Sequence, residues 1–154
     1  NISSWRRPAP NTIPWDTKAS GLYMICTLSK HEAEKQGYTD SLMLDHEENI
    51  AEATGANVFF KDKNGELHTP IPDCFLDGIT RRTVIEIAKS KKINVIERKI
   101  KPDELSNFIG CFLTGTAAEV TPVSQIDKFN FKVCSTIIDL SESYQSKVRK
   151  KIAA

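Results

Sequence analysis

Short apolar runs with β preference, bounded by polar turn signals, predict a series of short β-strands over the first half of the chain. The opening Ile-Ser-Ser-Trp run is typical of the end of a strand. Residues 41–45 and 49–53 predict two strands around an acidic turn, and residues 57–61 predict a further strand, rich in Val and Phe. Because Asn64-Gly65 is a strong hairpin signal, we expect residues 66–69 to return antiparallel to that strand.

A helical pattern covers residues 21–36, where small and apolar side chains recur with the helical period. Gly37 is a natural C-terminal stop, since glycine readily adopts the left-handed conformation that ends many helices. Before this helix, three prolines within residues 6–14 indicate an irregular connector, because proline fixes φ and donates no backbone hydrogen bond. The side chains expected on one shared face of the helix are Tyr23, Cys26, Thr27 and Ala33.

A second helix is predicted to begin at Gly78-Ile79-Thr80 and to end near Lys91. Thr80 is the expected N-cap, because a threonine hydroxyl can accept a hydrogen bond from a free N–H of the first turn. Pro70 and Pro72 interrupt the chain before this helix. The side chains expected to face inward are Val84, Ile85, Ile87 and Ala88.

The last part of the chain alternates strand, helix and loop signals. Residues 94–100 predict a strand, and Pro102 opens a short helix with acidic residues in its first turn. A buried strand over residues 108–114 leads through a small-residue loop to a last strand over residues 120–126. This mixture of hairpins and strand–helix alternation predicts a mixed α/β (α+β) fold rather than a purely parallel sheet. The basic residues of the tail from Ser143, interpreted as a solvated helix end, are Lys147, Arg149, Lys150 and Lys151.

Composition and charge argue against several classes of protein. The 154 residues suit one domain with an ordinary hydrophobic core. A net charge of +1 gives no electrostatic reason to expect nucleic acid or an anionic membrane as a partner. No apolar run approaches the roughly 20 residues that span a bilayer, and no signal peptide is visible. We therefore expect a cytoplasmic protein, with further sequence upstream of Asn1 because the chain opens inside a strand.

Cysteine and histidine usage indicates ordinary packing rather than a metal site. The four cysteines are widely spaced and form no C-x-x-C pair, which predicts free, mostly buried thiols in a reducing compartment. His31, His46 and His68 have no metal-ligand spacing among them. The chain also contains no P-loop and no G-x-G-x-x-G motif.

Four short segments could carry chemistry, and each also has an ordinary structural explanation. Lys18 follows the proline-rich connector, where partial desolvation would make its amine nucleophilic, but most lysines are simply solvated. Gly78-Ile79-Thr80 could bind phosphate at a helix start or be an ordinary cap. Glu52 could reach the ring nitrogen of a ligand or lie exposed at a strand end. The turn Gly115-Thr116-Ala117-Ala118 could form an anion-binding nest of free amides or be only a turn.

These segments belong to longer blocks that stand in a recognisable order. The blocks are residues 3–14, Lys18-Ala19-Ser20-Gly21-Leu22-Tyr23, Ala51-Glu52-Ala53-Thr54-Gly55-Ala56-Asn57, Gly78-Ile79-Thr80-Arg81 and Thr114-Gly115-Thr116-Ala117-Ala118-Glu119-Val120-Thr121-Pro122-Val123. In wording and order they closely resemble the branched-chain aminotransferases, which are fold-type IV enzymes that depend on pyridoxal 5'-phosphate (PLP). The match extends to about Asp127, and its last block indicates the branched-chain type within the superfamily.

The resemblance implies a large pseudo-barrel domain that holds PLP. Lys18 would bind the cofactor covalently, Tyr23 would lie near its phenolic oxygen, and Glu52 would pair with its pyridine nitrogen. The implied phosphate contacts are Ile79, Thr80 and Thr116. The positions implied to face the α-carboxylate of the substrate are Thr116 and Ala117. The residues implied to line the cofactor are Thr54, Gly55 and Asn57.

The resemblance also implies a division into domains. Residues 1–14 would be the end of a strand and a connector from an N-terminal domain outside this chain, and residues 15–154 would be the C-terminal PLP-binding domain. That N-terminal domain would supply another phosphate-binding arginine and most aromatic side chains around the substrate. This chain departs from the family at Ala53-Thr54, where Gly-Ser or Gly-Ala is commoner, and after Asp127, where the usual glycine-rich ending is not found.

Three hypotheses about function follow. The full gene product would exchange an amino group between Leu, Ile or Val and 2-oxoglutarate, a 2-oxo acid, through PLP, as a homodimer or larger homo-oligomer. A D-amino-acid aminotransferase or an aminodeoxychorismate lyase would share the fold, and the block at residues 115–123 argues against both. The third hypothesis is a fragment that folds but does not catalyse. We favour the first hypothesis for the gene product and the third for these 154 residues in isolation.

Overall fold

Among the described residues, strands outnumber helices. The structure is a computed structural model that describes residues 1–149, so the predictions for Lys150 and Lys151 lie outside the described residues. The strands are β1 Ile2–Arg6, β2 Leu42–Leu44, β3 Ile50–Ala53, β4 Asn57–Asp62, β5 Leu67–Thr69, β6 Val95–Glu97, β7 Phe108–Gly115, β8 Glu119–Pro122, β9 Gln125–Ile126 and β10 Phe129–Asn130. The helices are α1 Met24–Lys35, α2 Ile79–Ser90 and α3 Ser135–Val148, with 3₁₀ helices at Ser20–Tyr23 and Pro102–Asn107.

The strands form two mixed sheets and a small hairpin. Five strands are hydrogen-bonded in the order β6-β5-β4-β7-β8, three in the order β1-β2-β3, and β9 pairs with β10. The β1–β2 and β5–β6 pairs are parallel, and the other described pairs are antiparallel. Gly65 adopts a φ of 90° in the turn between β4 and β5, as the hairpin prediction requires. The predicted mixed fold is therefore confirmed.

Side chains of β4 alternate between two hydrophobic cores, as the period of a strand requires. Val58 and Phe60 contact the core between the two sheets, together with Leu42 of β2. Phe59 points to the opposite face, where its ring stacks on Phe112 with centroids 5.0 Å apart. The helices cover that second core with Val84, Ile85, Ile87 and Ala88 of α2, all predicted to face inward, and with Ile137, Leu140 and Tyr144 of α3.

Helix α1 begins later than its pattern predicts and buries a different set of side chains. A 3₁₀ turn precedes it, so the α-helix begins at Met24 and Thr27 is exposed rather than inward. Ser29 is buried in its place, because its hydroxyl pairs with the Ser3 hydroxyl at 2.7 Å and also donates to a backbone carbonyl. A hydroxyl satisfied in this way can be buried at low cost. Gly37, with a φ of 86°, ends the helix as predicted.

Three further predictions about elements are corrected. The N-cap of α2 is Gly78 and not Thr80, which is the second residue of the helix. The predicted strand over residues 94–100 is limited to β6. The single strand over residues 120–126 is two strands, because the chain leaves the large sheet after Pro122 and then turns back through Asp127, whose φ is 46°.

The structures of the tail and of the cysteines largely agree with the predictions made from the sequence. Lys147 and Arg149 are exposed and pair with Glu86 and Glu119, which confirms the solvated end of the last helix within the described residues. The four thiols are free, three of them buried and Cys134 half-buried. No described helix is both long and apolar enough to cross a bilayer.

Candidate functional site

One cavity of about 260 Å³ brings together the segments that the sequence singled out. The connector after β1, the end of β3, the start of β4, the N-terminus of α2 and the turn after β7 all line it. Every predicted site residue except Ala117 contributes to the lining, although the chain separates them widely. Ala117 is exposed in the same turn as Thr116 and is outside the lining.

Glu52 places a buried carboxyl in the cavity wall. Its Oε1 lies 3.5 Å from the Nε atom of Arg7, whose guanidinium is also buried. Arg7 Nε donates to the Cys74 carbonyl at 3.3 Å, so the guanidinium serves other acceptors besides the carboxylate. Burial raises the pKa of Glu52 to about 8, and the opposing effect of Arg7 does not cancel it. The carboxyl is therefore mostly protonated at neutral pH in the cofactor-free chain.

Asn57 connects this carboxyl to the start of α2. Its Nδ2 lies 3.4 Å from Glu52 Oε2 and donates to the Leu76 carbonyl at 2.9 Å. Its Oδ1 accepts the N–H of Gly78 at 3.2 Å. A Cβ on Gly78 would lie 2.4 Å from that Oδ1 atom, so only glycine fits this arrangement without a shift. One amide thus sets the position of the helix start relative to Glu52.

The N-terminus of α2 lines the cavity and can bind an anion. The N–H groups of a first helical turn have no partner within the helix, and they carry the positive end of its dipole. Ile79 is 76% exposed, whereas Thr80 is buried. The Thr80 hydroxyl lies 3.3 Å from the Tyr144 hydroxyl of α3. The structure thus combines free amides with a side-chain hydroxyl at one end of the cavity.

Lys18 and Tyr23 occupy the connector side of the cavity. Lys18 is exposed, so the expected partial desolvation of its amine is wrong for the chain as described. Lys18 nevertheless belongs to the cavity lining. Tyr23 is half-buried, and burial followed by the charge of Glu52 raises the pKa of its phenol.

Small residues near the ends of β3 and β7 form another part of the lining. The Thr54 hydroxyl donates to Asp40 Oδ1 at 2.6 Å and is not directed at a ligand. Gly55 packs against Gly115, where a Cβ on Gly115 would lie 3.3 Å from the Gly55 carbonyl. The buried Thr114 hydroxyl lines the cavity without a hydrogen-bond partner among the described residues. A buried polar atom of this kind is free for a ligand.

Three residues of this site were missed by the interpretation of the sequence. Arg7 and Cys26 line the cavity beside Glu52, and Arg7 Nη1 lies 3.5 Å from Cys26 Sγ. Thr114 was assigned only to a buried strand. Periodicity could not identify them, because it reports which face a side chain occupies and not which ligand lies there. The one available signal for Arg7 was an arginine just after the predicted end of a strand.

His68 contacts two acidic side chains in a separate cluster. Ligand atoms of Asp62, Glu66 and His68 lie within 4.8 Å of one another. His68 Nδ1 accepts a hydrogen bond from Arg98 Nε at 3.1 Å, so the proton of a neutral imidazole must be on Nε2. That nitrogen faces Asp62 Oδ2 at 3.5 Å and has no free lone pair for a metal.

Comparisons with known proteins agree with this geometry. The chain is 48% identical over 132 residues to a "Probable branched-chain-amino-acid aminotransferase" of Rickettsia bellii, covering 86% of this chain and 45% of the relative. A solved branched-chain amino acid aminotransferase of T.th., complexed with N-(5'-phosphopyridoxyl)-L-glutamate, matches with a TM-score of 0.91 and 37% identity over 96% of this chain and 51% of that one. The same enzyme complexed with 4-methylvaleric acid has a TM-score of 0.93 and 37% identity, covering 97% of this chain and 51% of that one.

The matches cover nearly all of this chain but only part of each relative. The chain spans about half the length of the curated relatives and solved structures that it matches. The predicted fold class, that of the fold-type IV branched-chain aminotransferases, is confirmed by the high TM-scores. The family model described as "Amino-transferase class IV" matches residues 1–126, which include the whole cavity lining. This protein chain belongs to the class IV aminotransferase family.

Proposed function

We propose that this chain is the cofactor-binding part of an enzyme that transfers an amino group between a branched-chain amino acid and a 2-oxo acid through PLP. The observation that carries the proposal is the single cavity that joins Lys18, Glu52 and the N-terminus of α2. The T.th. enzyme, which shares this fold, was solved with a phosphopyridoxyl-glutamate adduct and with a branched carboxylic acid. These ligands support both the cofactor and the substrate class.

The residues of the cavity fit PLP in charge and hydrogen bonding. A buried carboxyl suits a ring nitrogen, a helix start with a hydroxyl suits a phosphate, and the Thr114 hydroxyl has no partner among the described residues. When bound, PLP supplies an electron-withdrawing ring that stabilises negative charge on the α-carbon of the substrate. The chain's own residues would orient that ring and move protons around it.

Glu52 would provide the proton for the ring nitrogen. Because burial raises the pKa of its carboxyl to about 8, that proton is already present in the cofactor-free cavity at neutral pH. Glu52 would donate this proton to the ring nitrogen of bound PLP, and the carboxylate that remains would pair with the protonated nitrogen. Arg7 at 3.5 Å stabilises the carboxylate that forms.

Lys18 would carry the cofactor and move a proton, while the N-terminus of α2 and the turn after β7 would bind the anionic groups of cofactor and substrate. The Lys18 amine would hold the cofactor covalently and, when released, would take the proton from the substrate α-carbon. Amides of Ile79 and Thr80, the Thr80 hydroxyl and Thr116 would hold the phosphate, which orients the reactive atoms. The turn at Thr116 and Ala117 would face the substrate carboxylate.

The remaining parts of the proposal concern the whole protein. Residues 1–14 would end a preceding N-terminal domain, and residues 15–154 would form the C-terminal PLP-binding domain of a cytoplasmic homodimer or larger homo-oligomer. The resemblance to branched-chain aminotransferases supports this arrangement, and the four free thiols support a reducing compartment. The net charge of +1 favours small-molecule substrates over nucleic acid or an anionic membrane.

Lys18→Ala in the full-length protein tests the proposal. We expect the unsubstituted enzyme to show the visible absorbance band of lysine-bound PLP and to transaminate leucine with 2-oxoglutarate. The substitution should abolish the band and reduce turnover by at least about a thousandfold, since the covalent link and the proton-transfer group are lost together. Lys30→Ala, an exposed lysine on α1 outside the cavity, is the control and should change neither.

Two outcomes of this experiment would contradict parts of the proposal. An intact band in Lys18→Ala would exclude Lys18 as the covalent attachment point. Turnover of D-amino acids or of aminodeoxychorismate, without turnover of leucine, would favour the alternative enzymes of the same fold. The fragment hypothesis is tested with purified residues 1–154, for which we expect weak PLP binding and negligible leucine turnover.

A further inference from the structure

Tyr144 brings a buried hydroxyl to the phosphate end of the cavity from a distant helix. It lies in α3, is 8% exposed, and its hydroxyl is 3.3 Å from Thr80 Oγ1. The ring packs in the apolar cluster between α2 and α3, beside Ile137 and Leu140. Phenylalanine would fill that space equally well, and burial of a hydroxyl costs free energy unless it is hydrogen-bonded. The partner that offsets this cost is the Thr80 hydroxyl.

The direction of this hydrogen bond determines what Thr80 offers to the cavity. If Thr80 donates to Tyr144, the threonine presents only lone pairs to a ligand. If Tyr144 donates to Thr80 Oγ1, the threonine proton is free to point into the cavity, where Thr80 belongs to the lining. An anion only accepts hydrogen bonds, so it favours the second arrangement. Two hydroxyl bonds in series also polarise and strengthen each other.

We propose that Tyr144 is a positioning residue that donates to Thr80 Oγ1 and thereby directs the Thr80 hydroxyl proton at the phosphate of PLP. This inference rests on the proposed function. Tyr144 does not line the cavity, so it acts through Thr80 and does not contact the cofactor. This relay of two hydroxyls, from Tyr144 through Thr80, acts only on a ligand that carries a phosphate. Pyridoxal has the same ring but no phosphate, so its binding should not depend on the relay.

Tyr144→Phe in the full-length protein tests the relay with PLP and pyridoxal as probes. Absorbance titration gives the dissociation constant of each. We expect PLP binding to weaken about five- to tenfold, the effect of one lost hydrogen bond in a chain that ends on a charged group, and pyridoxal binding to stay within about twofold. Tyr38→Phe, outside the cavity lining, is the matched control and should leave both constants unchanged.

A double-mutant cycle with Thr80→Val separates the relay from a general effect on packing. Thr80→Val removes the hydroxyl through which Tyr144 acts, so Tyr144→Phe should have no further effect on PLP binding in that background. Thr80→Ser keeps the hydroxyl and should retain the sensitivity to Tyr144→Phe. Circular dichroism of each variant before titration confirms that it is folded, and the phenylalanine and serine variants change only one atom or one methyl group.

The outcomes distinguish this inference from the proposed function. An unsubstituted protein that binds PLP no more tightly than pyridoxal would overturn the phosphate site and the relay together. If the unsubstituted protein prefers PLP, three results would overturn the relay alone: unchanged PLP binding in Tyr144→Phe, equal losses for PLP and pyridoxal, or additive losses in the double variant.

Discussion

Glu52 combines a buried position with an ionisable group, and the two oppose each other. Its side chain is 13% exposed, and burial raises the pKa of its carboxyl from 4.5 to about 8 although Arg7 acts to lower it. In the unfolded chain the carboxyl is solvated and keeps its ordinary pKa. Between these two pKa values the folded state therefore holds a proton that the unfolded state has released. Folding stability must then decrease as pH rises through this interval.

We expect the free energy of unfolding of the cofactor-free protein to lose about 3 kcal/mol between about pH 5 and pH 8 through this carboxyl. Urea denaturation curves across that range measure it. Glu52→Gln keeps the shape of the side chain but does not titrate, so the difference between the two proteins isolates the contribution of Glu52 from carboxylates such as Asp62 and Glu104, whose pKa values are lowered. Parallel pH profiles for the two proteins would show that the Glu52 pKa is not raised.

The start of helix α2 depends on the close approach of Gly78 to the side chain of Asn57. Gly78→Ala would place a Cβ 2.4 Å from Asn57 Oδ1, so either the amide or the helix start must move. We predict that PLP binding by the full-length protein weakens about tenfold, because the phosphate site and Glu52 are both positioned through Asn57. Gly21→Ala is the control, since a Cβ on Gly21 would meet no side chain within 4 Å other than those of its chain neighbours. Unchanged PLP affinity in Gly78→Ala would contradict this role for the glycine.

Arg81 ties α2 to the loop before it and to β6. Its guanidinium is 2% exposed and bonds Asp77 at 2.7 Å, Glu97 at 2.6 Å and the Pro70 carbonyl at 3.0 Å. We expect Arg81→Met to lower the free energy of unfolding by about 2 kcal/mol, because the buried guanidinium makes three charge-assisted hydrogen bonds, two of them to carboxylates that are themselves exposed. Arg82→Met, at an exposed arginine 4.0 Å from Asp77, should cost under about 1 kcal/mol. Urea denaturation measures both, and equal losses would refute the distinction.

The pattern of the sequence predicted most elements and failed where tertiary contacts determine the outcome. Strands β2 to β5 follow from short apolar runs between turn signals, and the inward face of α2 follows from the helical period. The register of α1 shifted because a 3₁₀ turn precedes it, and Ser29 is buried through its bond to Ser3, a partner from another element. Helix α3 was anticipated only at its basic end, although its buried face of Ile137, Leu140 and Tyr144 has helical spacing.

The site could be predicted from the sequence only through family resemblance. Each local signal was weak, and the cavity joins positions from Arg7 to Thr116 that no sequence period connects. Resemblance identified Lys18, Glu52 and the start of α2, but it assigned no role to Arg7 or Thr114, whose importance lies in burial and in unmet hydrogen bonding. The Tyr144 contact requires the packing of α3 on α2, which only the folded chain provides.

The pairing of β4 with β7 has a consequence for the kinetics of folding. It sets Asn57 opposite Thr114 and so brings the two turns of the cavity wall together from distant parts of the chain. Closing a loop of that length costs entropy before any contact compensates for it, so such pairings form slowly compared with the neighbouring hairpin of β4 and β5. We therefore expect competence to bind the cofactor to appear late in folding. The rate at which a refolding chain gains the ability to bind added PLP would then measure the completion of the β4–β7 pairing. It would not measure the earlier hydrophobic collapse of the chain.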